Sequence, residues 1–318
     1  MKKSENSANY LILPKLDDDE NRPVWSVVIP TYNCAHFLRE TLQSVLSQDL
    51  GPKLMQIIVV DDFSTKDDPE AVVKEIGKGR VEFFRQESNV GKVKNYETGL
   101  LKSKGKLIHL LHGDDKLLYG FYSEMTELFE KYEMAKAAFC RSIYIDANSN
   151  WKGLTGMVQE KEGIVNDLDE KLYLQQLIQT PSMVVKREVY ETIGAFDRSL
   201  DCMEDWEMWF RISNNYPIAI SNKVLAEYRI HSNNATNETF LNGSALRTHD
   251  EVLKMMDSYV PLNKKNKSFK SRNKKQADFL LLSYRNIKHS LTWRERKEFI
   301  ARILKLNSSL RMILGILR

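Results

Sequence analysis

Trp25-Ser26-Val27-Val28-Ile29-Pro30 decides the architecture: a β-branched, apolar run closed by a proline reads as a buried strand. Beyond it, His36–Ser47 places Phe37, Leu38, Leu42, Val45 and Leu46 at helical spacing. Gln56–Val60 (QIIVV) repeats the buried-strand pattern and ends in Asp61-Asp62. Asp68–Ile76 then reads as a helix, Val81–Arg85 as a short strand and Gly91–Ser103 as a second helix. Lys106–Leu111 (KLIHLL) is a fourth strand, running into His112-Gly113-Asp114-Asp115. Strands alternating with helices at this interval predict an α/β fold with a parallel sheet and helices on both faces. Strands that are apolar throughout fit a sheet covered on both sides. Ligands of such sheets gather beyond the carboxyl ends of the strands. That rule selects Thr31–Asn33, Asp61–Phe63 and His112–Asp115, and two of these three are carboxylate pairs.

Further along, the pattern loosens. A helix is expected near Phe121–Tyr132, a strand at Ala137–Ile145 and a polar stretch at Asn148–Asn166. A helix around Leu168–Gln179, a strand at Ser182–Lys186 and a short helix from Arg187 follow. Glu204–Ser213 (EDWEMWFRIS) is amphipathic and helical, and Val224–Ile230 is a last strand. From Glu238 onward the periodicity is helical and the charge basic. Met1–Arg22 is polar, with an acidic cluster at Asp17–Glu20, and reads as a loosely packed leader.

The 318 residues, 42% hydrophobic and 28% charged, suit a soluble globular protein with one large domain and an appendage, or with two modest domains. No run approaches the roughly 20 apolar residues of a membrane-spanning helix, and Met1–Glu20 lacks the apolar core of a secretory signal. Cys34, Cys140 and Cys202 are odd in number and widely spaced, which disfavours a disulfide framework and fits a reducing cytoplasm. A net charge of +4 conceals an asymmetry: Pro261–Arg318 carries 16 Lys and Arg against 3 Asp and Glu. An acidic body with so basic an end suggests an anionic partner for that end. Phe299, Ile303, Leu306, Leu310, Ile313 and Leu317 fall at alternating spacings of four and three. They predict one continuous helical stripe. It would pack on the body, on a second copy of the chain, or on the cytoplasmic face of an anionic membrane.

No G-x-G-x-x-G follows the first strand and no G-x-x-x-x-G-K-[ST] is present, so dinucleotide-dependent dehydrogenases and P-loop enzymes are disfavoured. Carboxylates beyond strand ends suggest instead a divalent cation, Mg²⁺ or Mn²⁺, holding a diphosphate. At this point the motifs join into a resemblance. Val28–Asn33, Ile57–Asp62, Asn89-Val90-Gly91 with Asn95, and His112–Asp115 are similar, in order, to those of family 2 glycosyltransferases of the GT-A fold. Gly194–Asp197, Glu204–Trp206 and Tyr228–His231 continue the likeness, which covers about Val24–Ala235. The look-alikes are bacterial transferases that build surface polysaccharides.

The resemblance implies a nucleotide-diphospho-sugar transferase with a Rossmann-like, mostly parallel sheet and a helical, basic C-terminal extension. It implies a catalytic domain at 24–236, divided at residue 115 into nucleotide and acceptor halves, after a leader at 1–23 and before a helical region at 237–318. Pro30 would shape the nucleotide loop, Tyr32 would stack on the base, and Asp62 would accept from the base imide, favouring a UDP-sugar. Taken alone, Asp62 reads equally as a cap or turn residue, and Asn95 reads as nucleotide contact or helix-face side chain. Asp114 is expected to bind the metal, with Asp115 as a further acid; His112 stands where the family usually has an Asp, on the metal or a ribose hydroxyl. Asp205 is expected to be the general base that inverts the anomeric centre, with Glu204 beside it; two acids also suit a first helical turn without any function. Trp206 would meet an acceptor sugar or sit in the core, and His231 would approach the metal or diphosphate. The missing QxxRW signature points to a non-processive enzyme acting on a glycan or lipid-linked glycan. A nucleotidyltransferase is the first alternative, although Thr31–His36 has neither Gly nor Lys; a non-catalytic binding module on the same scaffold is the second. A nucleic-acid partner is disfavoured because the acidic body would repel phosphates.

Overall fold

The computed structural model describes residues 9–17, 21–231, 244–260, 262–289 and 291–317, so only part of the expected leader and none of residues 232–243 are covered. The chain forms two compact units interleaved along the sequence. The first takes Met1–Asn166, Ile178–Ser199 and Asn215–Ile230; the second takes Asp167–Leu177, Leu200–Asn214 and His231–Arg318.

The first unit is built on one mixed sheet. Its N-terminal half is parallel, as expected: β3 (Glu82–Arg85), β2 (Met55–Asp61), β1 (Trp25–Thr31) and β4 (Leu107–Leu110) lie side by side in that order. Every residue of β1 and β2 is buried. Helices α1 (Ala35–Leu46), α2 (Pro69–Gly77) and α3 (Lys92–Lys102) make the crossovers. Asp68 caps α2 by accepting from Ala71 N, and Pro69 starts it, so the sequence signal for that helix is local. Helix α3 lies close on the sheet because residue 99 is glycine: a Cβ there would come within 2.2 Å of Val28 Cγ1.

Past β4 the sheet stops being parallel. Strand β9 (Met183–Lys186) pairs antiparallel with both β4 and β6 (Ala137–Asp146), and β10 (Ile218–Ile230) is parallel to β6. The two-residue β5 (Lys116–Leu117) and β8 (Gly163–Ile164), and β7 (Trp151–Leu154), are additions that no apolar run announces. Helices α4 (Phe121–Lys131) and α6 (Arg187–Thr192) complete the unit. The described part of the leader is not loosely packed. Leu13 is buried, Leu13 N donates to Tyr190 O, and Ala195 N donates to Leu11 O, so the backbone of 9–13 is tied to 190–198.

The second unit is helical: α5 (Leu168–Leu174), α7 (Glu204–Asn215), α8 (Ser244–Tyr259), α9 (Leu262–Ile287), α10 (Trp293–Leu306) and α11 (Leu310–Leu317). Helix α5 is shorter than expected, since Gln175 turns extended and the chain runs on to a 3-10 turn at Thr180–Ser182. The single C-terminal stripe is also corrected. Asn307-Ser308-Ser309 breaks it in two, with Asn307 Oδ1 accepting from Ser309 N in the manner that lets Asn and Ser compete with helix. Phe299 and Ile303 are buried with Ala277, Leu280, Tyr284, Leu291 and Met312 in a core of their own. No helix among the described residues is long and apolar enough to cross a membrane.

Candidate active site

The parallel register sets Thr31 at the end of β1 beside Asp61 at the end of β2. Asp61 is spent on structure: it accepts from Ser64 N and Oγ, and Arg85 Nη1 lies 3.3 Å away. The turns that follow both strands are tight. Asn33 and Phe63 take positive φ angles of 50° and 62°, which non-glycine residues adopt at a cost of about 1–3 kcal/mol. Asn33 repays this locally, its Oδ1 accepting from Thr65 N and Lys66 N. The result leaves Tyr32 exposed (48%) and Phe63 partly so, with the Arg85 guanidinium 5.1 Å from the Phe63 ring.

Asp62 is buried. Its Oδ1 accepts from Val90 N at 2.7 Å and its Oδ2 from Gly91 N at 3.0 Å, so it pins the loop that leads into α3. Burial lifts its carboxyl above the usual range, against the pull of those two amides. Asn95 does not reach outward. It is 1% exposed, its Nδ2 donates to Val60 O and its Oδ1 accepts from Gln86, so it braces β2 against α3.

Beyond β4, Gly113 fits where a Cβ would meet Thr31 Oγ1 at 3.0 Å and Cys34 Sγ at 3.2 Å. Thr41 Oγ1 donates to the carbonyls of Gly113 and Asp115, which holds the loop to α1. His112, Asp114 and Asp115 thereby converge, with one ligand atom from each lying within 4.8 Å of the others. The His112 ring stacks on Tyr96, centroids 5.4 Å apart, and Tyr96 in turn meets Phe196 of the Gly194–Asp197 motif edge-on at 5.5 Å. Asp115 is 1% exposed. Its Oδ1 accepts from Arg229 N, whereas its Oδ2 has no hydrogen-bond partner among the described residues and lies 3.7 Å from His112 Nδ1. Burial, and then the Asp114 charge, push its carboxyl well above the carboxylate range. A buried carboxylate oxygen without a donor, beside a second carboxylate and an imidazole, is a donor set that a hard divalent cation fits.

Sequence reasoning quoted Arg229 within Tyr228–His231 without giving it a task. It is fully buried, and Nε donates to the Asp114 carbonyl at 2.7 Å. An arginine inside Val224–Ile230, read as a last strand, was the available signal, because arginine is almost never fully buried unless paired. His231 is the first residue past β10 and begins the second unit's last segment.

In the second unit, Met203 takes φ 62° and introduces α7. Glu204 is buried, while Asp205 is half-buried and held at both oxygens: Oδ1 accepts from Trp206 N at 2.7 Å and Oδ2 from Gln176 Nε2 at 2.9 Å. Trp206 is 3% exposed, with Nε1 donating to Leu172 O at 2.7 Å.

The chain matches the family described as Glycosyl transferase family 2 over residues 26–194. The "uncharacterized glycosyltransferase RT0329" of Rickettsia typhi is 28% identical over 218 residues, which are 68% of this chain and 66% of that one. RP339 of Rickettsia prowazekii, described in the same words, is 29% identical with the same coverage. The matched region thus spans just under two thirds of the length of these relatives. Among solved structures, S. aureus TarS 1–349 in complex with UDP-GlcNAc superposes with a TM-score of 0.64 at 16% identity, over 89% of this chain and 80% of that one, so the fold is that of a GT-A glycosyltransferase. A family match across more than half of the residues, on the scaffold built above, makes this chain a member of glycosyl transferase family 2.

Proposed function

We propose that the protein is an inverting, non-processive glycosyltransferase. It moves a sugar from a nucleotide diphosphate, by preference a UDP-sugar, to a hydroxyl of a glycan or lipid-linked glycan in surface polysaccharide assembly. The reading sets this in the cytoplasm, at the inner face of the membrane. The observation that carries it is the Asp115 Oδ2 atom, buried without a donor within the His112–Asp114–Asp115 cluster. These three residues would hold Mn²⁺ or Mg²⁺, which supplies charge neutralisation at the departing nucleotide diphosphate. Solved TarS complexes with UDP and UDP-GlcNAc support the choice of donor class.

The chain's own residues have separate tasks in this reading. The exposed Tyr32 ring stacks on the base. Asp62 keeps acceptor capacity for the base imide, since each carboxylate oxygen takes more than the one amide it already holds. Asp205, oriented by Gln176 and by the Trp206 amide, takes the proton from the acceptor hydroxyl, and that oxygen then attacks the anomeric carbon opposite the leaving group. Asp205 as base and His231 as metal or diphosphate contact are roles carried by the family resemblance. A panel of nucleotide sugars, UDP-GlcNAc first, tests the reading by metal-dependent donor hydrolysis and thermal stabilisation. Stabilisation by a UDP-sugar with Mn²⁺, hydrolysis lost in excess EDTA and hydrolysis abolished by Asp114→Ala are expected. Hydrolysis undiminished by EDTA would refute the metal assignment.

A further inference from the structure

Pro261–Arg318 holds 16 Lys and Arg against 3 Asp and Glu, and eight of the 16 lie in α9 with one acid, Asp278. The apolar stripe does not carry this basic end outward, since Phe299 and Ile303 are buried with Ala277, Leu280 and Tyr284. The opposite side of α9 is the open one. Arg272, Gln276, Leu280 and Tyr284, four apart, are buried along one row of the helix. Lys270, Lys274, Asp278 and Leu282, also four apart, are exposed along another.

That exposed row changes character along its length. Its first half is basic: Lys270 and Lys274 stand there, with Lys275 beside them donating to Gln175 Oε1. Its second half is apolar, and Leu282 is 61% exposed. At this same end α11 (LRMILGIL) lies against α9. A Cβ at Gly315 would come within 2.7 Å of Leu281 Cδ2, and Arg285 donates to Gly315 O. Met312 is buried in the helical core, whereas its neighbour Ile313 is 40% exposed. Trp293, which opens α10 just past the end of α9, is 72% exposed, with Lys297 Nζ 3.6 Å from the centre of its ring. An indole paired with a lysine suits the boundary between water and lipid, where one end is wet and the other apolar.

Three occupants compete for a surface that is basic at one end and apolar at the other. A second copy would bring like charge against like. A nucleic acid would take the lysines and leave Leu282, Ile313 and Trp293 in water. An anionic bilayer takes both, its headgroups meeting the lysines and its outer acyl region the apolar side chains. We propose that the exposed row of α9, with Ile313 and Trp293 at its apolar end, is the surface by which this chain lies on an anionic lipid membrane. This rests on the membrane part of the function proposed above and not on its chemistry.

The test is co-sedimentation of the full-length protein with vesicles of phosphatidylcholine mixed with phosphatidylglycerol, and with vesicles of phosphatidylcholine alone. Each basic residue near an anionic leaflet is worth about fivefold in partitioning, so Lys270→Ala combined with Lys274→Ala is expected to weaken binding by about 25-fold. The loss should shrink at high salt. Leu282→Ser is expected to weaken binding by about tenfold. Met134→Ser removes an exposed apolar residue of the sheet unit and is expected to bind as wild type does. Melting temperatures should stay at the wild-type value, since every substituted side chain is exposed; if one variant melts early, the other decides. Equal sedimentation of wild type, the lysine double variant and Leu282→Ser would overturn the proposal and leave the membrane reading standing. Wild type that stays in solution with the anionic vesicles would overturn both. Equal partitioning to phosphatidylcholine alone would overturn the anionic partner. A DNA duplex held more tightly than the vesicles, or a dimer in solution that Leu282→Ser dissociates with vesicle binding unchanged, would overturn the proposal in favour of that partner.

Discussion

Asp205 accepts at Oδ1 from the Trp206 amide and at Oδ2 from Gln176 Nε2, so its carboxylate is held by its neighbours. Asp205→Asn keeps that shape, provided Gln176 turns its amide to face the new NH₂. Turnover is expected to fall by ~10²-fold or more while nucleotide affinity is unchanged, as calorimetry and a transfer assay on one preparation would show. Turnover that survives would move the role to Glu204. A second residue-scale expectation concerns stability. His109 is buried in β4, its Nε2 3.0 Å from Pro181 O, and burial lowers its pKa from 6.5 to about 4. Its unfolded form therefore binds a proton that the folded form refuses. Stability is complete above pH 6.5 and declines as pH falls towards 4, by up to about 3 kcal/mol from this residue. Melting curves across that window should be flatter for His109→Gln than for wild type. At this scale the sequence was readable where chemistry and spacing coincide, as in the Asp114–Asp115 pair. It was not readable where a neighbour decides: Asn95 and Trp206 are turned inward by Val60 and Leu172 carbonyls that lie far along the chain.

Elements with a strong local signal matched their expected positions: β1, β2 and β4 are apolar runs, and α2 carries its own cap. Direction of pairing carries no such signal. Met183–Lys186 has the composition of its parallel neighbours, yet it runs antiparallel because of where the preceding chain delivers it. Strands of two residues, such as β5 and β8, depend on their partners for existence. The C-terminal helices teach the same lesson. Their periodicity was legible, but the partner of the apolar face was not: α10 turns Phe299 and Ile303 toward α9 and α11. Phe299→Ala should cost about 3–5 kcal/mol, read as a lower melting temperature for the helical unit. A face reserved for a membrane would give another result, with stability kept and sedimentation with anionic liposomes reduced.

For the molecule as a whole, composition and strand order sufficed for the α/β class, and the motifs sufficed for the family. The two compact units alternate along the sequence, with 167–177 and 200–214 belonging to the second. That alternation has a consequence for synthesis. Strand β10 pairs with β5, β6 and β8, but it is made after residues 200–214, which belong to the helical unit. A ribosome must deliver residue 230 before the sheet can close on that side, and it must meanwhile release segments whose helical partners have not been translated. Edges of β6 and β8 stay open during that interval, and open edges are where nascent chains go astray. Neither unit can be exchanged as a single cassette, so any rearrangement of the gene that keeps both must move several pieces together.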